Sequence, residues 1–122
     1  IIFTNHRGDN NQDHRIVFDA TMITTQTFAG NSPASKIYCY EVLSSTEQSP
    51  KFDEYAFLPN TYINIEKYLD KKIEAFNCYK YEMHPFPHPR SQEGIIALAQ
   101  YRGMACNCKF AEAFVLVREI VR

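Results

Sequence analysis

The sequence predicts an α/β fold, a parallel sheet with flanking helices. Two observations carry the prediction. An apolar, β-prone run (Ile1-Ile2-Phe3-Thr4) leads into a segment with helical apolar spacing, and a second run rich in β-branched and aromatic residues follows from Lys36 to Leu43. Strand, helix, strand is the order of a parallel βαβ unit and of a doubly wound sheet. The chain has 122 residues, 45% of them apolar and 22% charged, which suits one folded domain spanning 1–122 and excludes a disordered chain.

Each element has its own signal. Residues 5–12 are polar and contain Gly8, Asp9, Asn10 and Asn11, the chemistry of a loop. From His14 to Phe28, Ile16, Ala20, Ile23 and Thr27 recur at helical spacing with Val17 and Phe28 alongside, so a helix is expected there. Gly30, Asn31 and Pro33 are expected to stop the helix. Lys36 to Leu43 reads as the second strand. After a turn-rich stretch from Ser44 to Pro50, Phe52 to Ile63 suits one short strand or an irregular loop. Thr61 or Asn64 is placed to cap a helix carrying Ile65, Tyr68, Leu69, Ile73 and Phe76 on one face, with Glu66, Lys67, Lys71, Lys72 and Lys80 on a solvated side. Three prolines between Met83 and Pro89 exclude helix interior. Ser91 is a suitable N-cap for a helix through Arg102, closed by Gly103. A last helix is expected from Phe110 to Val121, with Phe110, Ala113, Phe114, Val117 and Val121 inward. Only two or three strands are found this way, few for a parallel sheet, and the chain opens on Ile1 and not Met; both suggest a piece of a longer protein.

Lys and Arg total 13 against 14 Asp and Glu, a formal charge of −1, which argues against a nucleic-acid partner held by bulk positive charge. Apolar runs such as Phe114 to Val117 are far below the roughly 20 residues that span a bilayer, so no membrane span is expected. The four cysteines, at 39, 78, 106 and 108, match no zinc-knuckle spacing. Cys106-Asn107-Cys108 is a lone Cys-x-Cys, expected as buried small apolar side chains, with a metal or redox motif as the alternative. A reducing, cytoplasmic setting is the default expectation.

The stretch Asp9-Asn10-Asn11-Gln12-Asp13-His14-Arg15 lies between a strand's carboxyl end and a helix's start, where open α/β sheets bind ligands. Two carboxylates and a histidine within six residues could ligate a metal and orient it. The same residues suit helix capping beside a surface histidine, and one His falls short of the three protein ligands a zinc site needs.

Asp9-x-Asn11-x-Asp13-His14-Arg15 resembles the second signature of the LmbE/PIG-L family of zinc-dependent de-N-acetylases. Further segments resemble that family in the same order: Tyr40-Glu41-Val42 with Ser44-Ser45-Thr46, then Tyr68 to Ala75, His88-Pro89-Arg90-Ser91, Ala97-Leu98-Ala99, Tyr101-Arg102-Gly103 and Ala111-Glu112-Ala113-Phe114. The resemblance covers nearly all of the chain. It implies a Rossmann-like enzyme that hydrolyses the acetamide of an N-acetylated amino sugar such as an N-acetylglucosamine conjugate. It also implies Zn2+, held in part by His14. An N-terminal His-Pro-Asp-Asp motif in the family supplies the other ligands and the base that activates water.

Two departures follow. Neither His84-Pro85-Phe86 nor His88-Pro89-Arg90 is a His-Pro-Asp-Asp motif, so the chain resembles only the C-terminal half of the family domain, with the N-terminal half absent and one zinc ligand of three. Alone, it is expected to be inactive. Many members also carry His where Asn11 stands. Asn11 can donate a hydrogen bond to an oxyanion but is not an acid. The candidate catalytic set is Asn11, Asp13 and Asp9: Asp13 as a buttress of the metal site or a helix cap, Asp9 as a residue that orients position 11 or the loop, or an Asx turn. His88 and Arg90, in a proline-stiffened loop, are the candidate substrate-binding pair or else plain surface; His84 and His6 are ordinary loop histidines. The alternative class is a non-catalytic sugar-binding or assembly module that retains the fold. An uncovered sheet edge would also allow a homo-oligomer.

Overall fold

The computed structural model describes residues 1–28 and 34–122. Along the chain it contains β1 (Ile2–Asn5), α1 (Gln12–Thr24), β2 (Lys36–Tyr40), a short 3-10 turn (Asp53–Tyr55), β3 (Thr61–Asn64), α2 (Leu69–Asn77), α3 (Gln92–Met104) and β4 (Ala111–Glu119). The fold is α/β, with three helices among the described residues and an open four-stranded sheet in the order β1-β2-β4-β3. β1 and β2 are parallel, with Ile2 opposite Ile37 and Asn5 opposite Tyr40, so the expected βαβ unit is present. The sheet as a whole is mixed, because β4 joins β2 antiparallel.

That strand corrects the helix expected from Phe110 to Val121. The segment fits both periods: Phe110, Ala113, Phe114 and Val117 fall at helical spacing, yet Ala111 and Ala113 alternate with Glu112, and Val115 and Val117 are β-branched. Branching at Cβ favours the pleated surface, and β2 offers a partner edge. Ala111, Ala113 and Phe114 are buried, whereas Val121 is 86% exposed. Val117 falls at an irregularity in the ladder, between the Ile37–Arg118 and Tyr38–Leu116 pairs.

The chain divides into two compact units, Ile1–Thr61 with Phe114–Arg122, and Tyr62–Ala113. In the first, Ile37 and Cys39 alternate inward along β2; burying a side chain the size of Ile37 is worth about 1.5–3 kcal/mol. Phe3, Tyr38 and Phe114 form an aromatic cluster with ring centroids 5.2–6.1 Å apart.

α1 does not meet this unit through its most apolar stripe. Ile16, Val17 and Ile23 are exposed, while the more covered positions are His14, Arg15, Phe18, Asp19, Thr21, Met22 and Thr25, which also recur at helical spacing. A polar contact lies on this face: the Thr21 and Thr4 hydroxyl oxygens are 3.2 Å apart, and Thr4 is buried in β1. The helix ends at Thr24, short of Thr27 and Phe28. There the hydroxyls of Thr21, Thr24 and Thr25 donate to the carbonyls of Val17, Ala20 and Thr21, a back-bonding that competes with the helical ladder. The expected stop at Gly30, Asn31 and Pro33 lies outside the described residues. β2 likewise ends at Tyr40 and not Leu43, where the chain enters a turn with Ser44 in the left-handed region (φ 67°).

In the second unit Ile65, Leu69 and Ala99 form a buried cluster against which Ile73 and Phe110 pack, as the apolar stripe of this segment predicts; Tyr68 alone of that stripe is well exposed. Asn64 Oδ1 accepts from the Glu66 amide at 2.8 Å, an Asx turn that precedes α2 instead of capping it. The Ser91 cap is as expected: its buried Oγ accepts from the Gly94 amide at 3.0 Å, a bond worth about 1 kcal/mol. Gly103, expected just past the end of α3, lies in its last turn. Lys72, expected on the solvated side of α2, pairs with Glu112 at 2.5 Å.

Candidate functional site

Two loops leave the carboxyl ends of the parallel pair, residues 6–11 after β1 and residues 41–49 after β2, and Asp9 ties them together. Its side chain is fully buried, and a buried carboxylate must find hydrogen-bond donors. Oδ1 accepts from the Thr46 hydroxyl at 2.6 Å, and Oδ2 lies 2.7 Å from His14 Nδ1. Because a carboxylate oxygen only accepts, this contact puts a ring proton on Nδ1, and in the neutral ring Nε2 keeps its lone pair for a further ligand. The His14 side chain is 16% exposed, so the ring stands at the rim and not in apolar interior.

The rest of the network holds this pair in place. Thr46 Oγ1 accepts from the Val42 amide at 2.8 Å while it donates to Asp9. The Ser49 hydroxyl donates to the Gly8 carbonyl at 2.5 Å, and the Asn10 amide reaches the Ser45 carbonyl at 3.4 Å. Gly8 is obligatory here: a Cβ would stand 2.4 Å from the Tyr55 carbonyl oxygen and 2.6 Å from His6 Nε2. Arg15 Nε donates to the Asp9 carbonyl at 3.1 Å, with its guanidinium carbon 5.8 Å from the centre of the Tyr55 ring. Beneath the pair, burial and then the Asp9 charge push the Cys39 thiol up to about 12. Burial, with Asp9 second, raises Tyr40 as well.

The other expected residues are placed as follows. Asn11 is the N-cap of α1 with extended backbone, and its side chain makes no capping bond; its amide reaches Ser45 Oγ at 3.4 Å. Asp13 is exposed in the first helical turn, where its Oδ1 accepts from the His14 amide at 3.0 Å and its charge suits the positive helix end. His88 and Arg90 belong to the second unit. There the Arg90 amide donates to His88 Nδ1 at 3.0 Å, the Arg90 guanidinium pairs with Glu82, and the rings of His84 and His88 lie 4.3 Å apart. The structure thus joins Asp9 to His14, and His88 to Arg90. Thr46 and Ser49 carry no role in the sequence reading; the clue to them is that a ligand crevice draws on the loops after both parallel strands.

His14 Nε2 is the atom best prepared to bind a metal, since metal-binding histidines commonly give their other N–H to a carboxylate. Among the described residues no group of three or more His, Cys, Asp or Glu side chains converges as a complete cation site. His14 therefore fits one corner of a zinc site and no more. No protein-family model matches the chain, and no curated protein matches it. Among the described residues no helix is long and apolar enough to cross a membrane.

Proposed function

We propose that the chain is part of a zinc-dependent hydrolase that removes the acetyl group from an N-acetylglucosamine-like conjugate, in the Rossmann-like fold of the family it resembles. The observation that carries this reading is the Asp9–His14 pair, 2.7 Å apart, with a partly exposed imidazole in the helix that follows β1 of a parallel strand pair. His14 would hold the zinc, with the remaining ligands on a part of the intact protein outside these 122 residues. When bound, zinc would polarise the acetyl carbonyl and lower the pKa of its water. Asp9 fixes the tautomer and angle of the His14 ring. Asn11, with its amide side chain uncommitted to capping, would donate to the oxyanion. Asp13 would add negative charge beside the site, and His88 and Arg90 would bind sugar hydroxyls or a phosphate. Four free thiols suit a reducing, cytoplasmic setting.

The test is acetate release from N-acetylglucosamine conjugates by the intact gene product supplied with zinc, alongside the metal content of His14→Ala. Acetate release and a loss of bound zinc in the variant are expected. Unchanged metal content in the variant would overturn the role of His14, and no acetate from any conjugate would overturn the activity. The second outcome would favour a sugar-binding or assembly module, a reading that Asn11 in place of an acidic His supports.

A further inference from the structure

The sulfurs of Cys106 and Cys108 stand 3.2 Å apart in the turn between α3 and β4. Neither is the buried apolar filler that the sequence suggests: Cys106 is exposed and Cys108 half-buried. The backbone enforces the encounter. The amides of Cys106 and Cys108 both donate to the Gly103 carbonyl at 3.0 Å, and Asn107 between them adopts the left-handed region (φ 57°), a conformation Asn tolerates better than most residues. The turn thereby places both side chains on one side. An open depression lined by Glu66, Met104, Asn107, Cys108 and Lys109 takes in Cys108.

We propose that Cys106 and Cys108 are a dithiol–disulfide site that reacts with the disulfides of small thiols. Exposed Cys106, as thiolate after losing its proton to solvent, attacks one sulfur of R–S–S–R; a Cys106–S–S–R bond forms and RS⁻ leaves. Cys108, deprotonated in turn, attacks the Cys106 sulfur, forming the internal disulfide and expelling the second RS⁻. The protein loses two electrons and two protons, and the small disulfide gains them as two RSH. The order follows from exposure, since Cys106 is open to solvent and Cys108 is half-buried. The Cys106 thiol, and burial after it, hold the Cys108 thiol above its ordinary range, so Cys108 waits as the resolving group. Closing the ring requires little movement, since residues two apart across a turn can meet the roughly 4.4–6.8 Å between Cα atoms that a disulfide takes.

The chain itself carries the comparison, because Cys78 is exposed without a neighbouring thiol in contact and Cys39 is buried. The 122-residue protein is equilibrated with reduced and oxidised glutathione, quenched in acid, and mapped by peptide mass. The peptide holding Cys106 and Cys108 should lose two hydrogens and carry no glutathione, while Cys78 carries the mixed disulfide. Internal disulfide should exceed mixed disulfide on the pair by at least about tenfold, as expected for an intramolecular reaction between preplaced groups. In Cys106→Ser or Cys108→Ser the surviving thiol should accumulate glutathione as Cys78 does. Persistent glutathione on the wild-type pair, at the level of Cys78, would overturn the proposal. An internal disulfide that forms equally well in urea would overturn the role assigned to the fold.

Discussion

Oδ2 of Asp9 lies 2.7 Å from Nδ1 of His14, and the carboxylate is fully buried while the ring reaches the surface. The pair holds the His14 side chain, in the first turn of α1, as an imidazole with Nδ1 committed to the carboxylate. One neighbouring hydroxyl, that of Thr46, satisfies the other carboxylate oxygen. The arrangement therefore has separable parts.

Asp9→Asn should reverse the tautomer. Thr46 donates to Oδ1 and so keeps a carbonyl acceptor there, which turns the new NH2 towards His14 Nδ1. That nitrogen must then accept, and the proton moves to Nε2. Ring 15N shifts should change from the Nδ1–H to the Nε2–H pattern, and zinc affinity of the intact protein should fall about 10–100-fold. An Nδ1–H ring persisting in the variant would show that Asp9 does not set it.

Thr46→Val removes the hydroxyl and keeps the shape. The Val42 amide then loses its acceptor and Asp9 Oδ1 its donor. The expected loss is about 1–3 kcal/mol in urea unfolding, recovered mostly by Thr46→Ser, which restores the oxygen. A Ser variant as weak as the Val variant would assign the effect to the lost methyl and not to the hydrogen bonds.

What the sequence made legible, and what it hid, follows from the range of the contacts. The Ser91 cap, three residues before Gly94, is local and readable from spacing, whereas Asp9, read as orienting position 11 or the loop, instead holds His14, five residues on across a helix start. Thr46 is 37 residues from Asp9, and no local pattern announces it. β4 was misread because its apolar residues satisfy two periods at once, and pairing with β2 decides between them. The buried face of α1 is likewise not given by its apolar pattern. The apolar stripe at Ile16 and Ile23 is plain in the sequence, but the Thr4–Thr21 contact lies on another face.

Alkaline pH should weaken the first unit through Cys39. Burial first, then Asp9, raises this thiol from 9.0 to about 12. A group whose pKa is higher folded than unfolded binds more protons in the folded state across that interval, so its contribution is intact below pH 9 and is lost as pH rises towards 12. The slope from this one group is at most about 1.4 kcal/mol per pH unit. Cys39→Ala removes the titration at the cost of a small cavity. Urea midpoints from pH 8 to 10.5 should therefore start lower in the variant and fall less steeply. Parallel curves would mean that Cys39 does not carry the alkaline loss.

Gly103→Ala sets helix propensity against packing. In the last turn of α3, propensity alone would favour Ala by about 1 kcal/mol. Here a Cβ would stand 2.5 Å from the Cys108 carbonyl oxygen and 2.9 Å from the carbonyl carbon and oxygen of Lys109. These are backbone atoms and cannot rotate aside, and the two amide bonds to the Gly103 carbonyl hold the turn against the helix. The substitution should therefore destabilise, by about 1–3 kcal/mol as overpacking does. Gln100→Gly, at an exposed position of the same helix, should also destabilise, by somewhat under 1 kcal/mol through propensity alone. Loss in both variants, although one removes a glycine and the other adds one, would separate close backbone approach from helix preference. A stabilised Gly103→Ala would mean that the turn before β4 can move away from α3.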